Sequence, residues 1–446
     1  MARLFGTDGV RGAAGENLTA RLALELGQAA AEVLTEADAH GGRPLVIIGK
    51  DTRISSDMLE SALAAGICSA GADVLLLGTI PTPGVAYLIG ELKADAGVMI
   101  SASHNPFGDN GIKIFGGDGC KLPDQIEDRI EERMKAGCTP KTGEHIGRVR
   151  TDPTAISRYV KHLQSCAIND LKGLRILVDC ANGAASVTSH DLFDDFAADV
   201  DIICDTPNGI NINLDCGSTH LDRLSKLVVA GGYDVGVAFD GDADRCLVVT
   251  EKGDVVDGDH IMAVVGREMM QRGALKHNTI VATVMSNLGF HKFSKANGLS
   301  VITVAVGDRY VLEEMKKGGY NLGGEQSGHL IFLDDATTGD GQLTAIKYLG
   351  LLSASGGKAS WLDAEIANFP QVLKNVRVPN ELKHSLAELP EIKQAIADAE
   401  AMLGEGRILV RPSGTEPLVR VMTEGLEQST VDAACDLVAK ALEKLK

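Results

Sequence analysis

The chain is predicted to be a multidomain α/β protein, with three related mixed α/β sandwich domains followed by a smaller α+β domain. Three observations predict this. The length, 446 residues, exceeds one ordinary domain. Glycine is abundant (51) and aromatic residues are scarce (4%), which suits many tight turns better than an aromatic-rich sandwich. One local pattern recurs three times: a short β-branched run, a Gly-bearing turn, an amphipathic helix and a second apolar run.

The first copy comprises Leu45–Gly49, a helix over about 56–71 and Val74–Leu77. The second comprises Arg175–Asp179, the turn Asn182–Ala185, a helix and Val200–Cys204. The third comprises Thr279–Val284, the turn Ser286–Gly289, a helix and Ser300–Val306. Each reads as a βαβ unit, which implies parallel strands and right-handed crossovers. The tail differs. Val372–Val378, a helix near Glu391–Leu403, strands at Arg407–Val410 and Leu418–Thr423, and a last helix from Thr430 predict a small antiparallel α+β domain. Composition shifts place the boundaries at 1–152, 153–255, 256–367 and 368–446.

The formal net charge of −18 repels nucleic acid and anionic membrane, so neither is expected as a partner. It also repels an anionic substrate, so a phosphate ligand would require a local cationic cluster. Nine cysteines with no C-x-x-C pair predict reduced thiols and a cytoplasmic protein. The opening residues lack the apolar stretch of a signal peptide, and no apolar run approaches the ~18 residues of a membrane span.

Five segments carry candidate chemistry. Asp240-Gly241-Asp242-Ala243-Asp244-Arg245 brings three carboxylates into a short loop between apolar runs. Converged carboxylates repel unless a cation sits among them, and hard oxygen ligands suit Mg²⁺ or Ca²⁺. An EF-hand is excluded because Arg245 stands where that loop requires Gly. Ser101-Ala102-Ser103-His104-Asn105-Pro106 follows the strand Ala96–Ile100, placing Ser103 on a turn at a strand's carboxyl end. Alone it also reads as an ordinary Ser-rich turn. A Ser-His dyad is disfavoured because adjacent side chains in an extended turn point apart. Lys113 lies close enough in sequence to reach back toward the serine.

Gly323-Gly324-Glu325-Gln326-Ser327-Gly328-His329 offers paired donors and acceptors suited to sugar hydroxyls. Arg411-Pro412-Ser413-Gly414-Thr415-Glu416-Pro417, with Arg420 beyond, makes a cradle for a phosphate dianion and supplies the required cationic cluster. Phe5–Gly12, which contains Arg11, and Gly49–Arg53 are Gly-rich turns bearing cations. By spacing alone they read equally well as locally bonded tight turns.

In this order the segments resemble the α-D-phosphohexomutase superfamily over nearly the whole chain: S-A-S-H-N-P its phosphoserine loop, D-G-D-A-D-R its metal loop, G-E-Q-S-G-H its sugar loop and R-P-S-G-T-E-P its phosphate loop. The resemblance implies four domains around a central cleft: phosphoserine, metal-binding, sugar-binding and C-terminal phosphate-binding, in chain order. The opening F-G-T-D-G-V-R-G and Gln326 are most similar to members acting on glucosamine phosphate. The implied activity is an isomerase that interconverts glucosamine 6-phosphate and glucosamine 1-phosphate, feeding UDP-N-acetylglucosamine and peptidoglycan precursors. It proceeds through a phosphoserine at Ser103, with glucosamine 1,6-bisphosphate as activating intermediate.

By the same resemblance, one Mg²⁺ per subunit is held by a phosphate oxygen on Ser103 and by Asp240, Asp242 and Asp244. Arg245 and Lys113 stabilise charge on the transferred group, Arg11 steadies the phosphoserine side, and His329 and Lys113 are both candidate bases. Glu325 and Ser327 hold sugar hydroxyls. Arg411, Ser413, Gly414, Thr415 and Arg420 hold the stationary phosphate. The implied partner is a small amino-sugar phosphate. The sequence does not fix oligomeric state, and a homodimer is one assembly it allows. Alternatives are a phosphomannomutase or phosphoglucomutase of the same superfamily, a phosphoserine phosphatase and a non-catalytic sugar-phosphate sensor.

Overall fold

The computed structural model describes residues 3–6, 8–35, 43–379, 385–386, 389–412 and 418–445. The chain divides into two compact units, Met1–Val284 with Leu299–Ala364, and Met285–Gly298 with Glu365–Lys446. The first unit begins β1 (Val10–Ala13), α1 (Ala20–Thr35), β2 (Leu45–Lys50), α2 (Ser56–Ala70), β3 (Asp73–Thr79), α3 (Thr82–Leu92), β4 (Ala96–Ile100), β5 (Asp109–Gly116), α4 (Asp124–Ala136) and β6 (Val149–Thr151). It continues α5 (Ala155–Ser165), β7 (Arg175–Asp179), α6 (Ser189–Asp194), β8 (Asp199–Ile203), α7 (Asp222–Gly231), β9 (Val235–Phe239), β10 (Cys246–Thr250), β11 (Val255–Val256), α8 (Gly258–Gln271) and β12 (Thr279–Thr283). After α9 (Leu288–Ala296), which belongs to the second unit, come β13 (Ser300–Val304), α10 (Asp308–Gly318), β14 (Leu322–Gly324), β15 (Leu330–Phe332), α11 (Gly341–Ser355) and α12 (Ala359–Asp363).

Three sheets result, ordered β1-β5-β4-β2-β3-β6, β11-β10-β9-β7-β8 and β13-β12-β14-β15. They share a four-strand kernel. In each, three strands run parallel and one antiparallel strand pairs with the last of them: β5 with β4, β10 with β9, and β15 with β14. The kernel is therefore β-α-β-α-β-β. The expected βαβ units are its first half, and the antiparallel return strand makes each sheet mixed. The parallel strands Val235–Phe239 and Thr279–Thr283 are buried along their whole length. That is the pattern of strands covered on both faces by helices, and it explains their near-continuous apolar runs.

In the second unit, β16 (Gln371–Arg377), α13 (Pro390–Leu403), β17 (Arg407–Pro412), β18 (Leu418–Glu424) and α14 (Gln428–Glu443) form an antiparallel sheet ordered β16-β18-β17. Val376, Val419 and Val421 pack with Val431, Val438 and Leu442 in one core. This is the α+β domain expected from the tail. Among the described residues, no helix is long and apolar enough to cross a membrane.

Helices α1 and α2 cross closely because glycine stands on each. A Cβ on Gly66 would lie 2.2 Å from the Leu24 carbonyl oxygen, whereas one on the exposed Gly90 of α3 would meet nothing within 4 Å. Alanine normally gains up to about 1 kcal/mol over glycine inside a helix. At Gly66 the backbone clash outweighs that gain, so Gly66→Ala should destabilise by about 1–3 kcal/mol, the usual cost of overpacking. Gly90→Ala should be neutral or stabilising. Urea denaturation midpoints of the two variants check this, and equal shifts would contradict it.

Candidate active site

The kernel places its chemistry at one recurring position, the connection from the last parallel strand to the antiparallel strand. Between β4 and β5 lies Ser103, between β9 and β10 lie Asp240, Asp242 and Asp244, and between β14 and β15 lies the Glu325–His329 turn. The three loops meet within the first unit.

Ser103 adopts a left-handed backbone, φ +50°. For a non-glycine residue this costs roughly 1–2 kcal/mol, so the surroundings must enforce it. The Ser103 N–H donates to Ser101 Oγ at 2.9 Å, and Ser101 Oγ donates to Asp51 Oδ2 at 2.7 Å. Buried Arg53, paired with Asp51 at 2.8 Å, donates to the Ser103 and Asn105 carbonyls at 2.8 Å each and to the Asp109 carbonyl at 3.0 Å. Asn213 Nδ2 reaches the Ser103 carbonyl from the second kernel at 2.9 Å. So fixed, the Ser103 hydroxyl donates to Asp240 Oδ2 at 2.6 Å. The left-handed turn also brings His104 Nδ1 to 3.3 Å from Ser103 Oγ, closer than an extended turn would allow. That hydroxyl's short bond nonetheless goes to the aspartate. Burial, then the charges of Arg245 and Arg11, hold the His104 pKa below its usual value.

The aspartate loop turns through Ala243 at φ +56°. Gly241 is required, because a Cβ there would lie 2.5 Å from the Ser103 carbonyl oxygen. Oxygens of Asp240, Asp242 and Asp244 lie within 4.8 Å of one another and all three residues are buried. Burial, reinforced by repulsion from Asp244 and Asp242, raises the Asp240 pKa well above the carboxylate range. Burial opposes ionisation of Asp244 too, but Lys113 and His329 outweigh it and drive that pKa well down. Asp242 Oδ1 and Asp244 Oδ1 are buried without a hydrogen-bond partner among the described residues. Orphaned hard oxygens among mutually repelling carboxylates fit a divalent cation. The continuation is strand β10, and Glu251 accepts hydrogen bonds from Ser360 instead of joining the cluster, which agrees with excluding an EF-hand.

Lys113 sits on β5, cross-strand from Met99, and is almost wholly buried. Its ammonium lies 2.7 Å from Asp242 Oδ2, 3.1 Å from Asp8 and 3.6 Å from Asp244. Burial opposes its charge, but these carboxylates outweigh burial and raise its pKa. Arg11 donates to the Ala102 carbonyl at 3.4 Å and pairs with Asp8, beside the serine loop. Arg245 lies 3.8 Å from Asp244, and its backbone N–H donates to Asp240 at 3.2 Å.

In the third loop, Glu325 accepts from the Gly307 N–H at 3.0 Å and Ser327 is exposed. The Cys246 N–H donates to the Gly328 carbonyl at 3.0 Å, stitching this loop to the end of the aspartate loop. His329 Nδ1 faces Asp244 at 3.6 Å, while Nε2 accepts from the Gly339 N–H at 3.1 Å. Burial lowers the His329 pKa, but Asp244 and Asp308 outweigh it and the net shift is upward. Gln326 Nε2 donates to Asp257, the N-cap of α8, at 3.0 Å.

The structure therefore brings together Ser103, Lys113, Arg245, His329, Arg11, Glu325, Asp240, Asp242 and Asp244. In the second unit, Arg411 on β17 stands directly opposite Arg420 on β18. Burial, then Arg420, lowers the Arg411 pKa, and Arg411 Nε is buried without a partner among the described residues. Ser413, Gly414 and Thr415 lie outside the described residues. Sequence reasoning left Arg53 in a bland turn and missed Asp8, Lys121, Asp308 and Asn213. Lys121 pairs with both Asp8 and Asp308, linking the ion-pair network around Lys113 to the one around His329.

A fold of three repeated kernels with a serine against a carboxylate triad defines a sugar-phosphate mutase class. The chain belongs to the phosphoglucomutase/phosphomannomutase family: it matches α/β/α domain I over residues 2–140, domain II over 157–253, domain III over 257–369 and the C-terminal domain over 373–441. A curated relative from Thermoanaerobacter sp. (strain X514), named phosphoglucosamine mutase, is 53% identical and covers 100% of this chain and 99% of its own. Among solved structures, a phosphoglucomutase/phosphomannomutase family protein from Burkholderia thailandensis superposes with TM-score 0.83 at 24% identity, covering 99% of this chain and 97% of its own. An Aspergillus fumigatus N-acetylphosphoglucosamine mutase, solved with GlcNAc-6P and magnesium, superposes at 0.70 with 17% identity, covering 99% and 96%.

If the triad binds a divalent cation, saturating metal should stabilise the fold, by about 2.7 kcal/mol at 100 times Kd. Adding MgCl₂ to chelator-treated protein should raise Tm, and Asp242→Asn should abolish the rise. An unchanged Tm in the unsubstituted protein would remove the cation from the site.

Proposed function

We propose that the chain interconverts glucosamine 6-phosphate and glucosamine 1-phosphate, with Ser103 as the phosphoryl carrier and Mg²⁺ at Asp240, Asp242 and Asp244. One observation carries the reading: the Ser103 hydroxyl, held in a strained turn, donates at 2.6 Å into a buried three-carboxylate cluster. The 53% identity to a phosphoglucosamine mutase over the full chain supports the amino-sugar substrate, and magnesium in a structure of the same fold supports the ion. We also propose division into four domains at 152, 255 and 367, supported by the three repeated strand kernels and the antiparallel tail. The nine cysteines are free thiols, which supports a reducing cytoplasm.

In the forward reaction, O1 of glucosamine 6-phosphate attacks phosphoserine 103. The bond from phosphorus to Ser103 Oγ breaks as the bond to O1 forms, giving glucosamine 1,6-bisphosphate. After reorientation of that intermediate, Ser103 Oγ attacks the 6-phosphate and glucosamine 1-phosphate leaves. Phosphoryl transfer requires positioning and charge neutralisation more than covalent help. The bound cation would supply positive charge at the transferred phosphoryl group. Arg53 and Asn213 hold the carrier's backbone. Arg245, Arg11 and Lys113 add fixed positive charge, and the carboxylates around Lys113 keep it an ammonium. Glu325 and Ser327 hold sugar hydroxyls in both orientations. Arg411 and Arg420, with Ser413, Gly414 and Thr415, hold the phosphate that is not reacting. His329 and Lys113 are the two base candidates, and both are held by carboxylates, His329 by Asp244 and Asp308 and Lys113 by Asp242 and Asp8.

Ser103→Ala should cut turnover by at least about 10³-fold, the scale for losing a covalent nucleophile, and should abolish phosphate uptake from the bisphosphate in intact-mass measurement. Coupled assays on glucosamine, glucose and mannose 1-phosphates test the substrate. Faster turnover of glucose 1-phosphate than of the amino sugar would overturn the assignment. Steady phosphate release without a bisphosphate requirement would indicate a phosphatase, and binding without turnover a sensor.

A further inference from the structure

A second cluster of reactive groups lies behind the serine and aspartate loops. Cys204 follows β8, and Cys216 lies in the loop that leads to α7. Their sulfurs and a carboxylate oxygen of Asp179 lie within 4.8 Å of one another. Cys204 is partly exposed, whereas Cys216 and Asp179 are fully buried. Arg223 Nη1 donates to Cys204 Sγ at 3.5 Å, and Asn182 Nδ2 to Cys216 Sγ at 3.7 Å.

Two readings fit such a cluster, a metal site and a redox pair. The guanidinium beside Cys204 would repel a dication but favours a thiolate. The Asp179 oxygens are already taken, one by the Ala181 N–H at 2.9 Å and the other by the Gly217 N–H at 3.0 Å. Both facts favour the redox pair.

We propose that Cys204 and Cys216 are an oxidisable dithiol, closed to an intrachain disulfide by a peroxide, and that closure displaces the loop that seats Ser103. In the first step the Cys204 thiolate attacks a peroxide oxygen, the O–O bond breaks and, for hydrogen peroxide, water leaves after protonation. In the second, Cys216 sulfur attacks the resulting sulfenic acid, the S–S bond forms, the S–O bond breaks and a second water leaves. Two thiols and one peroxide give one disulfide and two waters. The exposure gradient suits this order, with the reachable sulfur attacking and the buried one resolving. The Cys216 hydrogen bond also holds the Cys204 pKa below the usual thiol value, against burial and Asp179 and with help from Arg223.

The link to Ser103 runs through Asn213. Its N–H donates to the Ala181 carbonyl at 2.9 Å, and its Nδ2 donates to the Ser103 and Asn105 carbonyls at 2.9 and 3.1 Å. Five non-glycine residues here have left-handed backbones: Ala181, Asn182, Cys204, Asn213 and Asp215. A Cβ on neighbouring Gly217 would lie 2.6 Å from the carbonyl of Phe239, the residue before Asp240. Drawing the sulfurs to the ~2.05 Å of a disulfide would shift a segment whose backbone conformations are costly ones that the packing around them must hold. A shift of about 1 Å near reacting groups costs on the order of 10²-fold in rate.

The test uses full-length reduced protein treated with hydrogen peroxide, then alkylated and mapped by mass without reduction. The expected product has lost two hydrogens, joins the Cys204 and Cys216 peptides, and reverts with dithiothreitol. Cys204→Ser and Cys216→Ser should each abolish the link. Turnover of the oxidised protein should fall at least about tenfold, within the cost given above, and recover on reduction. Cys204 stopping at sulfinic acid beside an alkylatable Cys216 would overturn the proposal. So would stoichiometric zinc retained by the native protein with both thiols protected. A disulfide that leaves turnover unchanged would overturn the coupling to Ser103. The turnover arm rests on the mutase reading. Failure of that reading would appear as inactivity of the reduced protein, while the mass arm still decides whether the dithiol closes.

Discussion

The site depends on one contact, the hydrogen bond from Ser103 Oγ to Asp240 Oδ2, which joins the first kernel to the second. Its cost is visible on both sides. Ser103 occupies a backbone region that serine avoids, and three carboxylates are crowded where water cannot screen them. Without compensation such a cluster would neutralise itself by taking up protons. Lys113, His329 and Arg245 supply compensating charge around Asp244, while burial and its neighbouring carboxylates hold the Asp240 pKa up. A divalent cation among these oxygens would relieve their mutual repulsion.

Repetition explains how loops distant in sequence converge. Each kernel ends its parallel run with a strand that hands over to an antiparallel neighbour, and each handover occurs at the carboxyl edge of the sheet, where α/β folds expose their loops. The first kernel fills that position with a hydroxyl, the second with carboxylates and the third with the Glu325–His329 turn. The backbone bonds from Cys246 to Gly328 and from Gly341 to Ala243 tie the second handover to the third kernel. Function has diverged at one topological position while the supporting strands kept the same order.

Much of this was legible in the sequence because it is local. The βαβ runs appear as unbroken β-branched segments, and the reactive loops declare themselves by clustering Ser, Asp, Gly and His in short turns. The return strand β10 was legible as the apolar run after the aspartate loop, whereas β5, with its Asp, Asn and two glycines, and the three-residue β15 carry no such run. Arg53 was illegible for another reason. Its partners are carbonyls some fifty residues away, and a carbonyl leaves no signature in sequence. Asp8, Lys121 and Asp308 likewise act only as a chain of ion pairs between remote elements. Lys113 was expected to reach toward the serine, and its ammonium is instead taken by the aspartates, since a buried cation goes to the strongest nearby anions.

The second unit sets two arginines face to face in a chain that is acidic as a whole. A protein with net charge −18 must still attract a sugar phosphate. Setting Arg411 directly across from Arg420 places two like charges at adjacent positions of one small sheet, where they repel. Burial, and then the charge of Arg420, hold the Arg411 pKa below its usual value. Two like charges side by side repel, and a dianion placed between guanidiniums would offset that repulsion.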